Sequence, residues 1–72
     1  MQQLPYYKRS CIPELLARKG KLQVDLAVHL DKTEAYISQV IACKANLSVP
    51  LMRKTALYFN CLMEELYEWN EF

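Results

Sequence analysis

Seventy-two residues make one small domain, a size at which folding buries only roughly 60% of the surface of the unfolded chain. Its 53% hydrophobic content is scattered, so no run approaches the length of a membrane span, and the opening MQQLPYYKRS lacks the apolar segment of a secretory signal. The net charge of +1 hides a split: residues 1–60 hold all nine Lys and Arg against four acids, whereas residues 61–72 hold Glu64, Glu65, Glu68 and Glu71, so a polyanion would meet the first part.

One Gly and three Pro leave strands little punctuation, and no alternating apolar and polar run of strand length is present. Residues 1–10 read as an extended N-terminal arm, because the residue before Pro5 avoids the helical region, and the arm's tyrosines are free to cover the core. Helical spacing then begins. Ile12, Leu15, Leu16 and Lys19 predict helix 1 over 11–19, with Pro13 in its first turn and Gly20 ending it. Leu26, Ala27 and Leu30 predict helix 2 over 23–30, and Ile37, Val40 and Ile41 predict helix 3 over 34–43, capped by Thr33. Leu51, Thr55 and Tyr58 predict helix 4 over 49–59, with Ser48 as its cap, Pro50 in its first turn and Asn60 at its end. Leu62, Leu66 and Trp69 predict a short acidic helix 5 over 63–69. The expected fold class is all-α, a compact five-helix domain over residues 11–72.

Only Asp31, Lys32 and Thr33 join helices 2 and 3, so the two must cross steeply with their axes close near the turn. Ala27 is the small residue such a crossing needs. The outer side of helix 3 then carries Ala35, Ser38, Gln39 and Ala42, a small polar face that a groove wall can approach closely. Cys11, Cys43 and Cys61 are odd in number and widely spaced, and His29 is the only histidine, so zinc is not expected and the thiols read as buried or half-buried in a reducing compartment. His29 itself reads as an unpaired surface side chain. No nucleophile sits beside a base and there is no carboxylate pair or phosphate loop, so neither an enzyme nor a cofactor nor a small-molecule ligand is expected, and the default location is the cytoplasm.

Ile12, Leu15, Lys19 and Gly20, then Gln23, Leu26, Ala27 and Leu30, then Thr33, Ile37, Ser38 and Val40, then Lys44, Asn46 and Ser48 carry a likeness. Over residues 12–66 the chain resembles the lambda-repressor-like, XRE-type helix-turn-helix family of phage repressors and Cro proteins. It departs from that pattern in places. Asp31 stands where the family's turn usually has Gly, Lys32 where an apolar residue is common, Leu22 where Ser or Thr often caps helix 2, and Cys43 where Gly often ends helix 3. Cys43 leaves two expectations: helix 3 runs past it to end at Asn46, or the loop differs from that of relatives. Leu16 and Ile41 stand where relatives often carry an Arg and a Glu, and as an apolar pair they are expected to touch in the core.

The resemblance implies that helix 3 enters the major groove of double-stranded DNA and that helix 2 lies across the backbone. Carried over, Glu34, Ala35, Tyr36 and Gln39 would face base edges, with Gln39 suited to adenine, Ala35 to a thymine methyl and Glu34 to cytosine. Glu34 equally suits the helix dipole, and Tyr36 equally suits packing on the flank of helix 2. Phosphates would meet Gln23, Lys21, Lys32, Ser38, Lys44, Asn46 and Arg53, although Lys32 and Arg53 equally suit plain solvated charges. The resemblance further implies a homodimer on two half-sites, for which the aromatic tail of Tyr67, Trp69 and Phe72 is the expected surface, although Trp69 equally suits closing the monomer core. The implied function is a phage or mobile-element repressor, Cro-like and all DNA-binding domain, in a bacterial or phage-infected cytoplasm. The alternative is a small helical protein-interaction module, an antitoxin or antirepressor whose acidic C-terminal helix contacts a protein.

Overall fold

The computed structural model describes residues 7–70. In chain order these form strand β1 (Tyr7–Ser10), helices α1 (Ile12–Lys19), α2 (Gln23–Leu30), α3 (Glu34–Ile41) and α4 (Val49–Phe59), a 3₁₀ turn (Met63–Leu66) and strand β2 (Tyr67–Trp69). The expected all-α, five-helix class is therefore wrong. Four α-helices stand with a two-stranded antiparallel sheet that joins the two ends of the described chain.

The fifth helix fails for local reasons. Glu64 and Glu68 would have stood four apart on one helix face, where like charges repel. In the sheet, Glu68 instead lies opposite Arg9 and pairs with its guanidinium. Tyr67 points inward and Trp69 keeps its ring at the surface, where the indole N–H donates to the Glu64 carbonyl at 2.8 Å. The matching strand was hidden by an irregularity. Ser10 lies opposite Tyr67 and Tyr7 opposite Trp69, with a register shift between Tyr7 and Arg9, so Tyr7 and Ser10 are both buried although three residues apart. An extra residue in a strand breaks the period of two on which a strand is recognised. The expected arm is thus a paired strand from Tyr7 onward, and residues 1–6 lie outside the described residues.

Most bounds of the four α-helices fall where the sequence signals stand, the end of α3 excepted. Pro13 is in the first turn of α1 and Gly20 ends it at φ 70°. Thr33 accepts from the Tyr36 N–H at 3.1 Å, and Ser48 accepts from the Leu51 N–H at 3.4 Å. Asp31 and Asn60 end α2 and α4 in the left-handed region at φ 57° and 54°, so Asp31 does the work usually given to Gly. Cys43 resolves both expectations against a longer helix. It adopts φ 59°, its N–H reaches the Val40 carbonyl at 3.0 Å, and the Lys44 N–H reaches the Gln39 carbonyl at 2.9 Å. Helix α3 consequently ends at Ile41, short of residue 43, in the manner of a glycine-terminated helix. The thiol of Cys43 is buried, which a glycine could not match.

The core has two clusters. One is aliphatic, with Ile12, Leu16, Leu26, Ala27, Leu30, Ile37, Val40 and Leu47 buried together. Ala27 lies there between α2 and α3 as the crossing requires. Leu16 is buried, while Ile41 is only half-buried as it packs on the same cluster. The other cluster gathers Tyr7, Leu15, Cys43, Ala56, Leu66 and Tyr67 under the sheet. Tyr7 and Tyr67 stack there with ring centroids 3.9 Å apart and planes 12° from parallel. Among the described residues, no helix is long and apolar enough to cross a membrane.

Candidate functional site

Helix α3 buries Ile37 and Val40 and turns Glu34, Ala35, Ser38, Gln39 and Ala42 to solvent. Its N-terminus is fixed on three sides. Thr33 caps it, and the Gln23 side chain, at the first residue of α2, donates to Ser38 Oγ at 2.6 Å and to the Glu34 carbonyl at 3.4 Å. The third tie is Tyr36, whose hydroxyl donates to the Asn46 carbonyl at 2.7 Å and whose ring packs on the aliphatic cluster. Burial pushes the Tyr36 phenol above its usual value, so the side chain stays a neutral donor. Lys32 lies over the same ring, its ammonium 5.7 Å from the centroid.

These contacts divide the expected base-facing residues. Ala35 and Gln39 are exposed, and the Gln39 amide has no intramolecular partner among the described residues. The Glu34 side chain is exposed as well, at a helix N-terminus where its charge suits the dipole. Tyr36 is half-buried and spends its hydroxyl within the chain, so it follows the packing alternative, against the loop after α3 rather than against α2 alone.

Of the expected phosphate-facing residues, Lys21, Lys32, Ser38, Lys44 and Asn46 are exposed and Gln23 is half-buried. Gln23 and Ser38 meet each other directly. Asn46 is held twice, since its side-chain oxygen also accepts from the Tyr7 hydroxyl at 2.8 Å. No local pattern points to that link, because it runs from β1 across thirty-nine residues of chain. Arg53 is set apart: on α4 it lines a groove with Leu57, Leu62, Met63 and Glu64.

The aromatic tail divides too. Tyr67 is buried at 3% exposure and stacked on Tyr7, which leaves it nothing to offer a second copy. Trp69 is 44% exposed and Phe72 lies outside the described residues. The acidic segment is largely engaged within the chain: Glu68 pairs with Arg9, and Glu65 accepts from the Leu62 N–H at 3.1 Å. His29 is exposed but its ring lies against that of Tyr58, with centroids 4.5 Å apart and planes tilted by 38°, and the Lys19 ammonium lies 4.9 Å from the tyrosine ring's centroid. Cys11 and Cys61 are half-buried free thiols. Among the described residues, no three His, Cys, Asp or Glu side chains come together as a metal site would need. Comparison with protein-family models and with curated proteins gives no match to this chain.

Proposed function

We propose that the chain is a sequence-specific double-stranded DNA-binding regulator of transcription, with α2, its turn and α3 acting as a helix-turn-helix and α3 entering the major groove. The observation that carries this reading is the outer face of α3. Its residues are small or polar, they are exposed, and it is held at its N-terminal end by Thr33, Gln23 and Tyr36. A helix of this kind brings its backbone close to base edges, and Gln39, whose amide has no partner among the described residues, suits the paired donor and acceptor of adenine. Exposed Lys21, Lys32 and Lys44 flank the face as phosphate partners, and Asn46, fixed by two tyrosines, stands at the loop beyond it. Two copies on two half-sites, as in a Cro-like repressor of a phage or mobile element, complete the reading. The protein-interaction alternative relied on an acidic helix, and residues 63–69 are a 3₁₀ turn and a strand with two of their acids engaged internally.

Selection of bound sequences from a random duplex pool tests this, followed by titrations of the selected site. Gln39→Ala is expected to lose about 1 to 3 kcal/mol on that site and to relax preference at one base pair. Lys44→Ala is expected to weaken all sequences alike and to lower the salt slope by roughly one unit. A folded Gln39→Ala that keeps parental affinity and selectivity removes Gln39 as a base reader. Absence of duplex binding at low salt removes the function.

A further inference from the structure

We propose that Tyr7 is a positioning residue for duplex binding: its hydroxyl, by donating to Asn46 Oδ1, turns the nitrogen of that amide outward as a donor to a phosphate oxygen. The sheet that joins the chain ends then sets the strength of a contact made beyond α3. The inference rests on the function proposed above and deepens it. Asn46 stands in the short loop between α3 and α4, with the buried side chains of Cys43 and Leu47 on either side of it. Its main chain is tied to α3 through the Tyr36 hydroxyl at 2.7 Å, and its side chain is tied to β1 through the Tyr7 hydroxyl at 2.8 Å.

Hydrogen-bond chemistry fixes which way round the amide lies. A phenol has one hydrogen to donate, and Asn46 Oδ1 accepts that of Tyr7. Turning the amide over would set its N–H groups against the phenol and displace that hydrogen from its acceptor. The amide nitrogen therefore faces away from Tyr7, on an exposed residue, and it has no partner among the described residues. Phosphate oxygens accept and do not donate, so an outward nitrogen suits them and an outward oxygen does not. Tyr7 can orient the amide because it is itself held. It is buried, its ring stacks on Tyr67 at 3.9 Å and meets Trp69 edge-on at 5.2 Å, and it lies opposite Trp69 in the sheet. A slip of that register would carry the phenol off Asn46 while Thr33 and Gln23 still held α3.

Titration of the selected duplex and of an unrelated one tests the assignment. Tyr7→Phe keeps the stacked ring and removes the hydroxyl, and it is expected to weaken both duplexes alike, by roughly threefold to tenfold. Asn46 is neutral and releases no counterion, so the salt slope is expected to stay that of the parent, unlike that of Lys44→Ala. Asn46→Ala is expected to lose as much, and Tyr7→Phe added to it to lose nothing more, since the tyrosine acts only through the amide. Asn46→Asp keeps the acceptor for Tyr7 and puts an oxygen in place of the outward donor, so it is expected to bind less tightly than Asn46→Ala. Without DNA, Tyr7→Phe is expected to shift the NMR signals of the Asn46 side-chain amide and to leave those of Gln39 in place, while circular dichroism checks that it is folded. A folded Tyr7→Phe with parental affinity overturns the proposal. So do losses that add in full in the double variant, a loss confined to one sequence, Asn46 amide signals that do not move, or an Asn46→Asp that binds as the parent does. In each of these cases duplex binding itself stands, whereas a parent that binds no duplex overturns the proposed function and this assignment with it.

Discussion

The aliphatic cluster draws on consecutive helices, with spacings of three and four residues within each, whereas the cluster under the sheet joins Tyr7 to Leu66 and Tyr67 across nearly the whole chain. The first is held by side chains without polar atoms. In the second, polar atoms must be placed: the Tyr7 hydroxyl finds Asn46, Ser10 Oγ accepts from the Ile12 N–H at 3.2 Å, and the Tyr67 hydroxyl is buried with no partner among the described residues. Helical faces can be assembled from local pattern and repaired by small shifts, but an aromatic stack between chain ends exists only if the ends pair in one register. The sheet also reaches the candidate site through Tyr7 and Asn46, so the region the pattern missed bears on the region it found.

The largest effects test whether the two clusters are equal partners. Tyr7→Ala is expected to cost about 3 to 5 kcal/mol, the range for losing a buried aromatic, and Leu30→Ala about 2 to 5 kcal/mol. Urea unfolding followed by circular dichroism reads both. If Tyr7→Ala unfolds near the parental midpoint while Leu30→Ala does not, the sheet is an ornament on a helical core and the comparison fails.

What was legible follows from the same contrast. Caps and stops act within four residues, so Gly20, Thr33, Ser48 and Asn60 announce the bounds of α1, α3 and α4, and Ala27 announces the crossing of α2 and α3. The exposed face of α3 was legible for the same reason, as the complement of Ile37 and Val40. The sheet was not. Its second strand has three residues, its first contains a register shift, and the spacing of Leu62, Leu66 and Trp69 imitates a helix. Nor could local reading find that Tyr36 binds the Asn46 carbonyl or that Arg53 faces Glu64's groove, since both depend on how α3 and α4 are placed.

The buried hydroxyl of Tyr67 sharpens the contrast at smaller scale. Removing a polar group that has no partner among the described residues relieves its desolvation, so Tyr67→Phe is expected to raise stability by about 1 to 2 kcal/mol. Burial pushes the Tyr67 phenol far above its usual value of 10.0. The unfolded chain therefore loses this proton first, and stability falls as pH rises from about 10, by at most about 1.4 kcal/mol per unit. Unfolding midpoints measured across that range should show the fall in the parent and much less of it in Tyr67→Phe, with Tyr36 supplying a remainder. An unchanged alkaline slope would mean that the phenol is not buried as described.

On the helical side the matching imperfection is a cap. Leu22 precedes α2 with 69% exposure and has no side-chain acceptor, while its N–H donates to Asp25 Oδ2 at 2.7 Å, so half of a capping box is present. Leu22→Ser supplies the other half and is expected to add about 0.5 to 1 kcal/mol. Thermal unfolding at matched pH checks it. A loss instead of a gain would show that the exposed leucine contributes packing which its accessibility conceals.

The smallest effect belongs to the charges that tie the chain ends. Arg9 bonds Glu14 Oε1 at 2.6 Å and also pairs with Glu68, so one cation from β1 meets an acid of α1 and an acid of β2. The Arg9 hydrogen bond, joined by one from the backbone of Glu14, holds the Glu14 carboxyl below its usual range. A carboxyl depressed in the folded state stabilises it above the unfolded pKa, and that contribution is lost as pH falls through the folded value. All three side chains are at least two-fifths exposed, so solvent and salt screen the network and the effect is small. Glu14→Gln is expected to leave stability at neutral pH nearly unchanged while flattening the acid limb of the unfolding midpoint. High salt should produce the same flattening in the parent. A parent whose acid limb is insensitive to both changes would assign the junction of the ends to the tyrosine stack and the backbone ladder alone, and would place the charge split along the sequence outside the forces that close the fold.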